Sequence, residues 1–328
     1  MKKRTLKKSL AVFLTIGLLL SFISCGGDAE GRGNYFITIL TGPTSGIFFP
    51  IGGAFSSHLG SIGYRTSVTA TGATLENIRL LMGGQGELAI AMSDAVSQAY
   101  NAHGAFEGEA PADNLRVMMG LWPNYVQIVT TADSGIRTFE DLRGRRVGVG
   151  APGSGVELNA RLVFEAHGMS YDDIIPDFLA YGQAIEQMQN GLADAAFVTS
   201  GLGNATIRQL SFTREIHFIP IEGEGLERLM ATHPYFVASV IPREVFDTAV
   251  DTVTASVMNV MLVDENLPSS VVYDLLENIY SEAGLAHIHT AHAVAAEHIR
   301  LETALRGLGA FTLHDGAAEF FRARGLID

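Results

Sequence analysis

Short apolar runs alternate along this chain with helix-length stretches, and glycines mark the joins. Tyr35–Leu40 is a β-type run that ends in Thr41-Gly42-Pro43-Thr44-Ser45-Gly46, with a helical stretch to about Leu59 and stops at Gly60 and Gly63. Arg65–Ala70 reads as a second strand ending at Gly72. Leu75, Ile78 and Met82 then share one helical face, and Leu88–Met92 reads as a buried strand ending in Ser93-Asp94.

The same order returns further on. Arg146–Val149 reads as a strand ending in Gly150-Ala151-Pro152-Gly153-Ser154-Gly155. A helix follows, with Leu158, Leu162, Val163 and Ala166 on its apolar side and Gly168 as its stop. Asp177–Tyr181 reads as the next strand, a helix runs through Ile185 and Met188, and Asp194–Val198 is a buried strand ending in Thr199-Ser200. Pro43-x-Ser45-Gly46 aligns with Pro152-x-Ser154-Gly155, Gly72 with Gly182, and Ser93 with Ser200. Any two βαβαβ units look alike, because parallel strands need helical crossovers. The shared Pro-x-Ser-Gly favours two homologous lobes.

Two α/β lobes predict a cleft. In open α/β sheets a ligand sits beyond the carboxyl ends of the strands, near helix N-termini. Ser45-Gly46, Thr71-Gly72 and Ser93-Asp94 would form one wall. Ser154-Gly155, Tyr181-Gly182 and Thr199-Ser200 would form the other. Each serine-glycine pair is expected to open a helix, whose free N–H groups and dipole favour an anion. No arginine lies in these loops, so backbone amides and hydroxyls would hold a carboxylate. The plain alternative for each serine is a helix cap with no ligand.

Composition narrows the function. The 328 residues are 47% apolar and 17% charged, which is globular. Met1–Lys8 is basic, Leu10–Ile23 is apolar, and Phe22-Ile23-Ser24-Cys25 leads into Gly26-Gly27, the layout of a secretory signal. We expect a signal peptide over residues 1–24 and a polar tether over 25–34. Phe22–Cys25 resembles a bacterial lipobox, with Phe22 where leucine is usual; the resemblance implies lipidation of Cys25, the only cysteine. Beyond Cys25 the chain has no lysine, and 17 arginines face 35 acids, a net −18. This excludes a Schiff-base or P-loop lysine, and it disfavours nucleic acid or an anionic membrane surface as a direct partner. Membrane contact would run through the N-terminal lipid alone.

The segment Thr41–Gly53 (Thr41-Gly42-Pro43-Thr44-Ser45-Gly46-Ile47-Phe48-Phe49-Pro50-Ile51-Gly52-Gly53) resembles the opening motif of the TAXI solute receptors of TRAP transporters. Asp133–Ile136, Asp141–Gly144, Val147–Glu157, Asp194–Phe197 and Leu313–Ala317 resemble further family segments, so the likeness spans the chain from about Tyr35. It implies an α/β fold of the two-lobed, type II periplasmic-binding-protein kind. It also implies a periplasmic location, closure around a small organic acid (glutamate-like or 2-oxoglutarate-like), delivery to TRAP membrane subunits, no cofactor and no enzymatic activity. The family usually has tyrosines at the places of Phe48 and Phe49. Val126–Thr130 and Met258–Val263 read as the two hinge crossings, which puts lobe one at 35–126 plus 257–328 and lobe two at 127–256. The expected ligand-binding residues are Ser45, Gly46, Phe48, Phe49, Thr71, Ser93, Trp122, Ser154, Gly155, Val156, Thr199 and Tyr235.

Three other signals lead elsewhere. Gly148–Gly153 spells G-x-G-x-x-G after a strand, but the end of the next strand carries Tyr181-Gly182-Gln183 and no acid for a ribose. His287, His289 and His292 define the alternative function, a cell-envelope metal-binding lipoprotein. Ser154 as a hydrolase nucleophile lacks a complete G-x-S-x-G elbow.

Overall fold

The computed structural model describes residues 29–308 and 311–328. The signal segment and Cys25 lie outside the described residues. The chain enters through a helical turn at Ala29–Arg32, where Arg32 forms a two-pronged ion pair with Asp274.

The first unit consists of β1 (Phe36–Leu40), α1 (Phe48–Ser61), β2 (Arg65–Thr69), α2 (Thr74–Met82), β3 (Leu88–Met92) and α3 (Ser93–Tyr100). β1 pairs parallel with both β2 and β3. All five residues of β3 are buried, as an unbroken apolar strand with both faces covered requires. The long β4 (Leu115–Thr131) then leads into the second unit: β5 (Arg146–Gly148), α4 (Gly155–Ala166), β6 (Ile175–Asp177), α5 (Tyr181–Gln189), β7 (Ala195–Ser200), α6 (Ala205–Thr213), β8 (Ile216–Ile219), α7 (Gly223–Thr232) and β9 (Val237–Ile241). The second long strand, β10 (Thr252–Asp264), returns to the first unit. There α8 (Ser269–Ile279), α9 (Glu282–His289), α10 (Ala293–His298) and α11 (Asp315–Ala323) complete the fold. Phe320 and Phe321 of α11 are fully buried. Among the described residues, no helix is long and apolar enough to cross a membrane.

The strand order is β2-β1-β3-β10-β4-β7-β5-β6, with β8 added to β4 and β9 to β10. The two long strands change partners along their length. β4 pairs with β10 from Leu115 to Tyr125 and with β7 from Tyr125 to Thr130. β10 pairs with β9 from Thr252 to Ser256 and with β3 from Asn259 to Val263. The register slips between Met258 and Val260, inside this exchange. Both crossing strands are therefore longer than the apolar runs Val126–Thr130 and Met258–Val263. β4 continues back through Trp122-Pro123-Asn124, where a polar residue and a proline interrupt the apolar pattern.

A ring of side chains locks the exchange. Trp122 Nε1 donates to Asn124 Oδ1 at 3.0 Å, Asn124 Nδ2 to Asn259 Oδ1 at 3.1 Å, and Asn259 Nδ2 to the Trp122 carbonyl at 2.9 Å. All three residues are buried. Removing one partner would strand another, a cost of about 1–3 kcal/mol.

One element differs from its sequence reading. The strand expected at Asp177–Tyr181 lies at Ile175–Asp177, and Tyr181 opens α5. The Asp177 carbonyl accepts from both Val149 N and Leu179 N, so the chain turns there and Phe178–Ala180 becomes a loop despite its apolar composition.

Candidate functional site

A cavity of about 40 Å³ lies where the two halves meet, lined by Gly42, Pro43, Gly46, Ile47, Phe48, Ala73, Met92, Asn124, Gly155, Val156, Tyr181, Thr199 and Ser200. Room for one water takes roughly 10–15 Å³, so the cleft is closed down to a few waters' space.

Five helices begin at its wall. Ile47 precedes α1, Ala73 precedes α2, Met92 precedes α3, Gly155 starts α4 and Tyr181 starts α5. The first N–H groups of a helix have no partner within it, and its dipole is positive at that end. No lining residue carries a carboxyl or a cationic group. The cavity's charge preference therefore comes from the backbone, and it favours an anion. Thr199 supplies a further polar group. It is 3% exposed, and its Oγ1 has no hydrogen-bond partner. Such a buried hydroxyl is costly unless something fills the space before it.

The walls touch directly. A Cβ on Gly155 would stand 2.8 Å from Met92 Cε and 2.9 Å from Thr74 Oγ1, so any larger residue there must push these two side chains aside for α4 to stay this close. A Cβ on Gly46 would stand 2.6 Å from the Tyr181 hydroxyl, which reaches across from α5. Burial raises the pKa of Tyr181 to about 12, so it stays a neutral phenol.

Of the twelve residues expected from sequence, Gly46, Phe48, Gly155, Val156 and Thr199 line the cavity. The others sit around it or away from it. Ser154 caps α4: its Oγ accepts from Glu157 N at 3.2 Å and donates to the Ala151 carbonyl at 2.7 Å. Trp122 is fully buried behind the wall, with its ring edge-on to Phe48 at 5.7 Å. Thr71 holds the start of α2, with its hydroxyl 2.6 Å from Asn77 Oδ1 and accepting from Ala73 N at 2.9 Å. Ser93 is buried as the first residue of α3, and Phe49 is half-buried on α1.

Two expectations change. Ser45 does not open a helix: it is exposed in a turn closed by Gly46 N on the Pro43 carbonyl, and α1 is preceded instead by Ile47. Tyr235 lies outside the cleft, stacked on Phe311 at 5.2 Å beside a separate groove. Tyr181 and Ser200, expected in the cleft wall though not among the twelve, also line the cavity, whereas Asn124 and Met92 were not expected there. A signal for Tyr181 exists in the repeat: Phe48 to Gly155, Thr74 to Tyr181 and Leu88 to Ala195 are each a step of 107 residues. Gly72 and Gly182 break that step, since Gly182 lies inside α5.

Among the described residues, no group of three or more His, Cys, Asp or Glu could hold a metal. His287 packs against His58, His289 Nε2 lies 2.8 Å from the Ile299 carbonyl, and His292 caps α10 by accepting from Val294 N.

A profile of the NMT1-like family matches residues 39–325. Among solved structures, a protein of Bordetella bronchiseptica RB50 is similar at 14% identity and a TM-score of 0.52, over 88% of this chain and 98% of that one. The periplasmic aliphatic sulphonate binding protein of Escherichia coli is similar at 13% identity and a TM-score of 0.44, over 88% of this chain and 82% of that one. The fold shared with the Bordetella protein is a two-lobed α/β fold.

Proposed function

The chain belongs to the NMT1-like family, and from that premise we propose that it is an extracytoplasmic solute receptor that binds a small organic acid between its lobes. It does no chemistry on the ligand. The lobes, 35–126 plus 257–328 and 127–256, swing about the partner exchange in β4 and β10. The closed, loaded form is then read by membrane transporter subunits, and the resemblance of its segments to TAXI receptors supports the TRAP type for them. Cys25, lipidated, tethers the receptor to the membrane.

The observation that carries this reading is the convergence of five helix N-termini and the unpartnered Thr199 hydroxyl on a cavity without ionised side chains. A glutamate-like ligand brings an ammonium group, and the lining offers it no carboxylate. A 2-oxo acid or dicarboxylate of the 2-oxoglutarate kind suits the site better.

Titration calorimetry of the full chain against 2-oxoglutarate, other 2-oxo acids, dicarboxylates and glutamate tests it. The expected result is one-to-one binding of an acid without an ammonium group. Thr199→Val should weaken that binding by about 1–3 kcal/mol. Binding of cationic solutes alone, or unchanged affinity in Thr199→Val, would overturn the site.

A further inference from the structure

Asp94 lies on α3 and Asn159 on α4, on opposite sides of the cleft. Asn159 Nδ2 donates to Asp94 Oδ2 at 2.7 Å. Asp94 is 3% exposed and Asn159 fully buried. The two remaining oxygens, Asp94 Oδ1 and Asn159 Oδ1, have no hydrogen-bond partner. An ionised carboxylate only accepts, as does an amide oxygen. With Asp94 charged, the pair therefore leaves two buried acceptors unsatisfied. The neutral acid brings the one donor the pair lacks, a hydroxyl.

We propose that Asp94 and Asn159 form a proton-bound latch between the lobes, so that the cleft closes with uptake of one proton on Asp94. The inference concerns closure and is independent of which ligand the cavity takes.

The surroundings agree. Burial raises the Asp94 carboxyl from 3.8 to about 6, opposed by the nearby Ala95 amide, the hydrogen bond from Asn159 and its own amide. No ionised group contributes by charge. On α2, Glu76 is held by Gly72 N and Arg79 by Glu109. On α4, Glu157 pairs with Arg161 and Tyr171, and Glu165 lies at the far end. On β10, Asp264 takes amides from Asn114 and Asn266, and on α3 the Tyr100 hydroxyl donates to the Leu115 carbonyl. β3 carries no ionisable residue.

The sign follows from the raised value. The closed form holds the proton more tightly than the solvated, open form does. The latch is complete below about pH 4 and is lost as pH rises through about 6. A difference of two units corresponds to about a hundredfold in the closed-to-open ratio.

The test is small-angle scattering of the ligand-free full chain from pH 4 to pH 8, with the Asp94 carboxyl followed by carbon NMR. The wild type should open with rising pH around a midpoint near 6. Asp94→Asn carries a permanent donor in place of the proton, and it should stay closed throughout. Asp94→Leu should lose both the closure and its pH dependence. A pH-independent wild type, an Asp94 carboxyl titrating at its ordinary value in the acid-closed form, or an Asp94→Asn variant that opens like the wild type would overturn the latch. If Asp94→Leu fails to fold, the Asp94→Asn profile and the carboxyl titration still decide.

Discussion

The two strand-to-helix turns at the cleft, β1 to α1 and β5 to α4, share Pro-x-Ser-Gly and use it differently. In the second turn Ser154 caps its helix and Gly155 is the helix's first residue, pressed against the opposite lobe. In the first, Ser45-Gly46 lies ahead of the helix, Ser45 is exposed, and Ile47 precedes α1 with no side-chain cap. One wall is thus a rigid helix end. The other is a turn that receives the Tyr181 side chain. The same four-residue pattern takes a different mechanical role in each turn.

Substitutions at matched positions sharpen or break this contrast. The largest effect is expected at Gly155. Gly155→Val puts methyl groups where Met92 and Thr74 already sit, so closure should fail and affinity for the bound acid should fall at least about a hundredfold, about 2.7 kcal/mol. Gly46→Val meets the end of Tyr181 first and the Pro43 carbonyl at 3.2 Å, and pairing it with Tyr181→Phe should recover part of the loss. Equal losses in calorimetry for both glycines would end the asymmetry. Next come the serines. Ser154→Ala should cost about 1 kcal/mol in denaturant unfolding, whereas Ser45→Ala should stay within about 0.5 kcal/mol. The reverse order would mean that the capping roles are wrongly assigned. The smallest effect is at the alanines before α2 and α5. Ala73 has φ 74° and Ala180 φ −56°. Ala73→Gly should relieve a positive-φ backbone and stabilise by up to about 0.5 kcal/mol, while Ala180→Gly, at an ordinary backbone conformation, should change stability by less. A larger gain at Ala180 than at Ala73 would contradict the difference in backbone.

Much of the fold was legible because buried parallel strands are unbroken apolar runs with glycine stops. Leu88–Met92 coincides with β3, and Arg65–Ala70 comes within a residue of β2. Phe178–Ala180 misled because an apolar loop and an apolar strand have the same composition. What separates them is where the Asp177 carbonyl finds its donors, and that depends on Val149 in a distant strand. The cavity was half legible. Turns at strand ends locate Gly46, Gly155 and Thr199 by position. Asn124 lies in the middle of a strand, and it reaches the cavity only because β4 changes partners beside it. Nothing near Asn124 in sequence records an event that involves β7 and β10.

The ring of helix beginnings has a consequence for how such a receptor can change over time. The positive helix ends are a property of the chain's path, and side-chain substitution leaves them in place. Side chains around the ring remain free to drift, reshaping the size and polarity of the space they enclose. Under the proposed function, a change in the sign of the cargo would need a charged side chain added to the lining, while changes in its size or polarity need only ordinary substitution.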